Sequence, residues 1–183
     1  MRKVKYFVAN SLDNYIARKN GAVDWLFMDG TDYGMGDFFK SIDTILLGRK
    51  TYEIALRQNP RSRNSKSNFG MKSYIFSRTL KLSLGDGAQV ISQNAGAFVR
   101  SLKMEEGKDI WLMGGGELMK SLLLENVVDE ISLNIHPLLL GSGVFLFPEL
   151  DKQIDLELIN SNIHKNGCIQ VTYRIKDQAP HQK

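Results

Sequence analysis

The chain has 183 residues, 43% of them apolar and 24% charged, with a net charge of +4. That length holds one domain with a substantial core, and so mild a positive balance excludes a dedicated, strongly basic nucleic-acid binder. The single cysteine, Cys168, excludes an internal disulfide framework, and no segment approaches the roughly 20 apolar residues of a membrane span.

In chain order, residues 4–10 (VKYFVAN) are rich in aromatic and β-branched side chains and predict a strand. Residues 43–49 (DTILLGR) are a continuous apolar run ending at Gly48, the pattern of a strand buried on both faces. The following KTYEIALR has helical spacing, with Pro60 shortly beyond it. Residues 61–72 are polar, basic and rich in Ser and Asn, and predict a mobile loop. Strands follow at 73–77 (SYIFS) and 88–92 (AQVIS), then a helix over 94–104. Residues 109–114 (DIWLMG) predict a strand and 116–126 a helix. Residues 129–140 (DEISLNIHPLLL) predict a long strand, and 154–176 a hairpin turning at Asn166-Gly167.

Strands alternating with helices, then an antiparallel hairpin, predict an α/β fold with a mostly parallel central sheet. Residues 1–176 read as a single domain and 177–183 as a frayed polar tail.

Three predicted strand ends share a character. Gly48-Arg49-Lys50-Thr51 follows one, Ser77-Arg78-Thr79 another, and Gly114-Gly115-Gly116-Glu117 a third. Ligands of open α/β sheets bind outside the carboxyl ends of the strands, so these junctions are expected along one edge. Two of them open helices, whose free N–H groups favour anions. Arg, Lys, Ser and Thr beside them are the side chains that hold phosphate. A dinucleotide fits several phosphate sites spread along one edge. Each junction also has a plainer reading: close strand–helix packing for the glycines, solvated basic side chains for the others. The G-x-G-x-x-G spacing is absent.

The stretches ANSLDNYIA, DTILLGRKTYE, YIFSRT, DIWLMGGGELMKSLL and VDEISLNIHPLLLGSGVFLF resemble the dihydrofolate reductase fold. They are closer still to stand-alone proteins related to the reductase domain of bacterial riboflavin synthesis. The resemblance covers nearly the whole chain. It implies helices on both faces of the sheet, binding of NADPH and hydride transfer. By it, the turn Gly114, Gly115 and Gly116, with Glu117 and Leu118 behind it, holds the pyrophosphate, and a cis peptide joins Gly114 to Gly115. Gly48, Arg49, Lys50 and Thr51 hold cofactor phosphates, while Ser77 and Arg78, with Thr79 beside them, match the 2′-phosphate positions. Val8 and Ala9 meet the nicotinamide amide through backbone, with Ile16 nearby.

The substrate side matches less closely. Trp25 is present, but the proline-flanked pattern around the family's acid is not. Asp29, Asp32 and Asp37 are the candidates, and Asp32 has the right separation from Gly48 to be the catalytic one. An aspartate beside Gly30 and Thr31 is equally at home as a cap or turn residue. Asn134 matches a strand residue near the substrate. GRKT leans toward dihydrofolate reductase and IHPLLLGSG toward the riboflavin branch.

His136 reads as structural and Cys168 as a small buried apolar residue. His164 and His181 have no ligand-like companions, so no metal is expected. The loop 61–72 could also form an adenosine-side flap. The apolar HPLLLGSGVFLF suits a subunit contact, and relatives by resemblance are often dimers. The expectation is a cytoplasmic, homodimeric NADPH-dependent reductase of a pterin-like or pyrimidine-like heterocycle, without nucleic-acid or membrane partners. The alternative is an NADP-binding protein whose catalysis is lost or altered.

Overall fold

The computed structural model describes residues 1–58, 70–80 and 88–176. Most of the predicted loop 61–72, the tail 177–183 and His181 lie outside the described residues.

The elements run β1 (Val4–Ser11), β2 (Tyr15–Ala17), α1 (Met35–Ser41), β3 (Ile42–Gly48), α2 (Arg49–Gln58), β4 (Lys72–Phe76) and β5 (Ala88–Ile91). There follow α3 (Ala95–Met104), β6 (Asp109–Gly114), α4 (Gly116–Leu124), β7 (Glu130–His136), β8 (Val144–Phe145), β9 (Leu156–Ile163) and β10 (Ile169–Ile175). Eight strands form one sheet in the order β5-β4-β3-β6-β1-β7-β10-β9. β5 through β7 are mutually parallel, while β10 runs antiparallel to β7 and β9 antiparallel to β10.

Helices cover both faces, as expected. On one, α3 and α4 bury Val99, Leu102, Met119 and Leu122 against Tyr6, Leu46, Ile110 and Leu112. On the other, Met35, Phe38 and Phe39 of α1 and Tyr52 of α2 pack on Phe7, Ile45, Leu47 and Trp111. Strand side chains alternate between faces. The continuous apolar run of β3 therefore feeds both layers: Leu46 joins the first and its neighbours Ile45 and Leu47 the second. Burying each such side chain stabilises the fold by about 2 kcal/mol.

Asn166-Gly167 makes the hairpin turn. Gly167 takes φ 86°, a left-handed conformation open to glycine, and Cys168 N–H donates to the Asn166 side-chain oxygen at 3.1 Å. Two local readings need correction. The strand read over 129–140 stops at His136, because Pro137 brings no N–H to a strand paired on both sides. The helix α1 and the two-stranded ribbon β2–β8 had no counterpart in the sequence reading.

Candidate active site

Register brings the three glycine- and base-bearing junctions to one level. β3 pairs Leu47 with Gly114 on one side and Gly48 with Phe76 on the other. β1 pairs Tyr6 with Leu112, so Val8 stands level with Gly114. The row crosses β1, β6, β3 and β4, a span of about 14 Å at the usual strand spacing.

The glycine turns pack on each other. A Cβ on Gly48 would stand 3.4 Å from the Gly115 nitrogen, and one on Gly115 3.1 Å from the Thr51 hydroxyl. The plainer reading of close packing thus accounts for part of the glycine requirement. It does not account for the start of α4. No side chain caps this helix at Gly115, so the first-turn N–H groups of Gly116, Glu117 and Leu118 remain open to an anion. The Gly114–Gly115 peptide is cis. Arg49 opens α2 and pairs with Glu53 at 2.8 Å, and Lys50 beside it is exposed.

Beyond the end of β4, the Ser77 hydroxyl accepts from the N–H groups of Thr79 (3.2 Å) and Leu80 (2.9 Å). This turn leaves the side chains of Arg78 and Thr79 in solvent. A cleft of about 410 Å³ opens there, walled by Ser77, Arg78, Ser92, Asn94, Ala95 and Ser121. Its far wall was missed in the sequence reading, although Asn94 is a recognisable helix cap, accepting from Ala97 N–H at 3.0 Å. These groups fit a dinucleotide phosphate: uncapped helical N–H donors, a cradle that a Cβ would fill, and cations at both ends.

On the opposite face lie Phe7 and Ala9 of β1, with Asn134 and His136 of β7; Ala9 is paired with Asn134. Phe38 of α1 covers Phe7 with ring centroids 4.5 Å apart. The segment between β2 and α1 closes over the end of β7. Trp25 meets the His136 ring edge-on at 5.2 Å, with Phe27 at 5.1 Å and Tyr33 at 5.9 Å. Burial lowers the His136 pKa below its ordinary value, so the ring is neutral at pH 7. Its Nδ1 lies 3.2 Å from the Asn134 carbonyl oxygen. Trp25 Nε1 and Asn134 Oδ1 are buried with no hydrogen-bond partner, a costly state for polar atoms in the interior.

The three candidate acids all have local partners. Asp32 is exposed, and its Oδ1 accepts from Gly34 N–H (2.8 Å) and Met35 N–H (3.1 Å) at the entry to α1. Asp37 pairs with Lys40 at 2.9 Å. Asp29 accepts from Asn166 Nδ2 at 2.7 Å and Thr31 N–H at 3.0 Å, which hold its pKa down at about 2. Asn166 also donates to the Tyr33 hydroxyl at 2.5 Å, so the hairpin tip clamps the segment over His136. The structure brings Trp25 and Asn134 together around His136, and leaves Asp32 and Asp37 on the outer surface.

Ile16 lies on β2, which is strapped down by β8. Asp13 accepts from Leu140 N–H (3.0 Å), Gly141 N–H (2.7 Å) and the Ser11 hydroxyl (2.5 Å). Tyr15 stacks on Phe145 at 4.7 Å. The stretch 137–147 therefore holds the β1–β2 loop, an intramolecular task that sequence alone did not reveal. Among the described residues, no cluster of His, Cys, Asp or Glu could hold a metal ion, and no helix is long and apolar enough to cross a membrane.

A family model described as the RibD C-terminal domain matches residues 2–169. The uncharacterised protein YyaP of Bacillus subtilis is 36% identical over 179 residues, spanning 94% of both chains. The crystal structure of a Shewanella sp. PV-4 protein with a provisional riboflavin-biosynthesis assignment superposes with a TM-score of 0.81 at 26% identity, over 96% of this chain and 99% of that one. Dihydrofolate reductase from Enterococcus faecalis, solved with NADP(H), shares the fold at a TM-score of 0.66 and 14% identity, over 96% and 97% of the two chains.

Proposed function

Because the chain belongs to the RibD C-terminal domain family, we propose that it is an NADPH-dependent oxidoreductase acting on a small pterin-like or pyrimidine-like heterocycle. One arrangement carries this reading: the uncapped start of α4, the glycine cradle and the basic ends of β3 and β4 stand level with Val8 on β1. NADPH, when bound, supplies the hydride that, with one proton, reduces a carbon–nitrogen double bond.

In this reading the first-turn N–H groups of α4 hold the pyrophosphate. Arg49, Lys50 and Thr51 hold neighbouring phosphate oxygens, and Ser77, Arg78 and Thr79 hold the 2′-phosphate. Backbone at Val8 and Ala9 orients the nicotinamide, with Ile16 above it. Trp25 and Asn134 contact the substrate. Water delivers the proton, since Asp29, Asp32 and Asp37 are each engaged locally. The same engagement favours a second reading, in which the cofactor site persists and reduction is lost. The protein is proposed to act in the cytoplasm as a homodimer.

Titration with NADPH and NADH tests the cofactor site. NADPH should bind at micromolar levels. Arg78→Ala should weaken NADPH about tenfold while leaving NADH unchanged, as expected for loss of one charge-assisted phosphate contact. If neither nucleotide binds, the proposal is wrong. NADPH oxidation in a single turnover with a reducible heterocycle separates the two readings.

A further inference from the structure

The loop between β1 and β2 is pinned at its tip by one carboxylate. Asp13 Oδ1 accepts from the Ser11 hydroxyl (2.5 Å) and from Leu140 N–H (3.0 Å), and Oδ2 accepts from Gly141 N–H (2.7 Å). Each is a charge-assisted bond. Ser11 is fully buried, and its hydroxyl oxygen accepts in turn from Tyr15 N–H at 3.0 Å. Asp13 thus joins the last residue of β1 to a segment 127 positions away. An amide in its place would lose at least one of these bonds and set its NH₂ group against an N–H donor.

That distant segment reaches both parts of the proposed cofactor site. Gly143 backs on β2 so closely that a Cβ there would stand 2.2 Å from the Ala17 carbonyl oxygen. Leu146 N–H donates to the Asn14 carbonyl oxygen at 2.8 Å. Pro148 closes on the start of α4, where a Cβ on Gly116 would stand 3.3 Å from the proline Cγ. Leu146 and Phe147 join the apolar cluster that also takes in Val8 of β1, Ile16 of β2 and Leu118 of α4. One stretch of chain therefore borders Val8 and Ile16, proposed to meet the nicotinamide, and the helix start proposed to hold the pyrophosphate. The β2–β8 pairing consists of two residue pairs with an irregular register between them. A ribbon this short is marginal by itself, so the Asp13 contacts set where Ile16 stands.

We propose that Asp13 is a positioning residue for the nicotinamide: by locking the β1–β2 loop to Leu140 and Gly141, it holds Ile16 against the ring. This rests on the reductase reading above and adds a residue that lies outside the three glycine- and base-bearing strand ends. Holding one face of the ring fixed keeps its reacting carbon aligned with the hydride acceptor.

The test compares NADPH with 2′-phospho-ADP-ribose, which keeps the pyrophosphate and the 2′-phosphate and lacks the nicotinamide. In calorimetry, Asp13→Asn should weaken NADPH about fivefold or more and leave the ringless ligand within about a factor of two. At saturation, the emission of the bound dihydronicotinamide should move toward that of free NADPH. Ser11→Ala removes one donor to the carboxylate. It should act in the same way to a smaller degree, and it carries the test if the Asp13 variant does not fold. Equal weakening of both ligands in a folded variant overturns the proposal, since a merely loosened fold would do the same. Unchanged NADPH affinity and emission overturn it too. So does wild-type protein that binds the two ligands equally, because the ring then has no seat for Asp13 to set. Wild-type protein that binds neither ligand instead sinks the underlying reductase reading.

Discussion

Gly115 and Asp29 behave differently when taken one residue at a time. Gly115 is held to glycine by its neighbour, since an added Cβ would sit 3.1 Å from the Thr51 hydroxyl. Gly115→Ala should therefore displace Thr51 and weaken NADPH about tenfold in a fluorescence titration, with the far-ultraviolet spectrum of the fold unchanged. Asp29 has an ordinary pKa of 3.8 lowered to about 2, first by the Asn166 amide and then by Thr31. A depressed carboxyl pKa adds stability above the unfolded value, and that stability is lost as pH falls through the folded one. The thermal midpoint should fall as pH drops from about 4 toward about 2. Asn166→Ala should flatten that part of the curve. A curve identical to the wild type would mean that Asn166 does not hold the charge. The residue types at these positions were legible in the sequence; what each one touches was not.

At the scale of elements, α4 connects core and site. Its outer end offers bare N–H groups, while Met119 and Leu122 are fully buried beneath it. Leu122→Ala should cost about 2–5 kcal/mol through the lost contacts and the cavity left behind, measurable by urea unfolding. NADPH affinity should survive in the folded fraction. The same division explains which elements the sequence revealed. β3 and β6 carry near-continuous apolar runs and α3 and α4 an amphipathic pattern, and the expected spans lie within a residue or two of the observed bounds. α1 is seven residues long, includes Gly36 and follows Gly34 at φ 75°, so its own propensity is poor. It forms because Phe38 and Phe39 pack on Phe7 and Trp111. β2 has three residues and β8 two. Their pairing rests on Asp13, Tyr15 and Phe145, contacts that span more than a hundred residues of chain.

Across the whole molecule, the sheet has an uneven boundary. β9 ends it, and Leu156, Leu158, Ile159 and Ile163 on that strand are exposed. An apolar edge strand is a template for pairing with another chain. The proposed homodimer is expected to use it, and the stretch 137–147, where Leu139, Val144 and Phe145 are exposed, is the other apolar surface available. Leu158→Lys should shift sedimentation from dimer to monomer without loss of NADPH binding. A dimer that persists in the variant would place the contact elsewhere.

The sequence by itself determined the α/β alternation, the hairpin at Asn166-Gly167 and the glycine and basic residues at three strand ends. These depend on periodicity and turn chemistry between near neighbours, so they can be read locally. Only the tertiary structure decided that those strand ends lie level, that Asp32 serves the turn into α1, and that Asn166 reaches Asp29 across 137 positions. It also decided that Trp25 and Asn134 meet around His136 with polar atoms unpartnered. Sheet register and the packing of one distant segment on another fix these facts, and neither leaves a repeat in the chain from which it could be read.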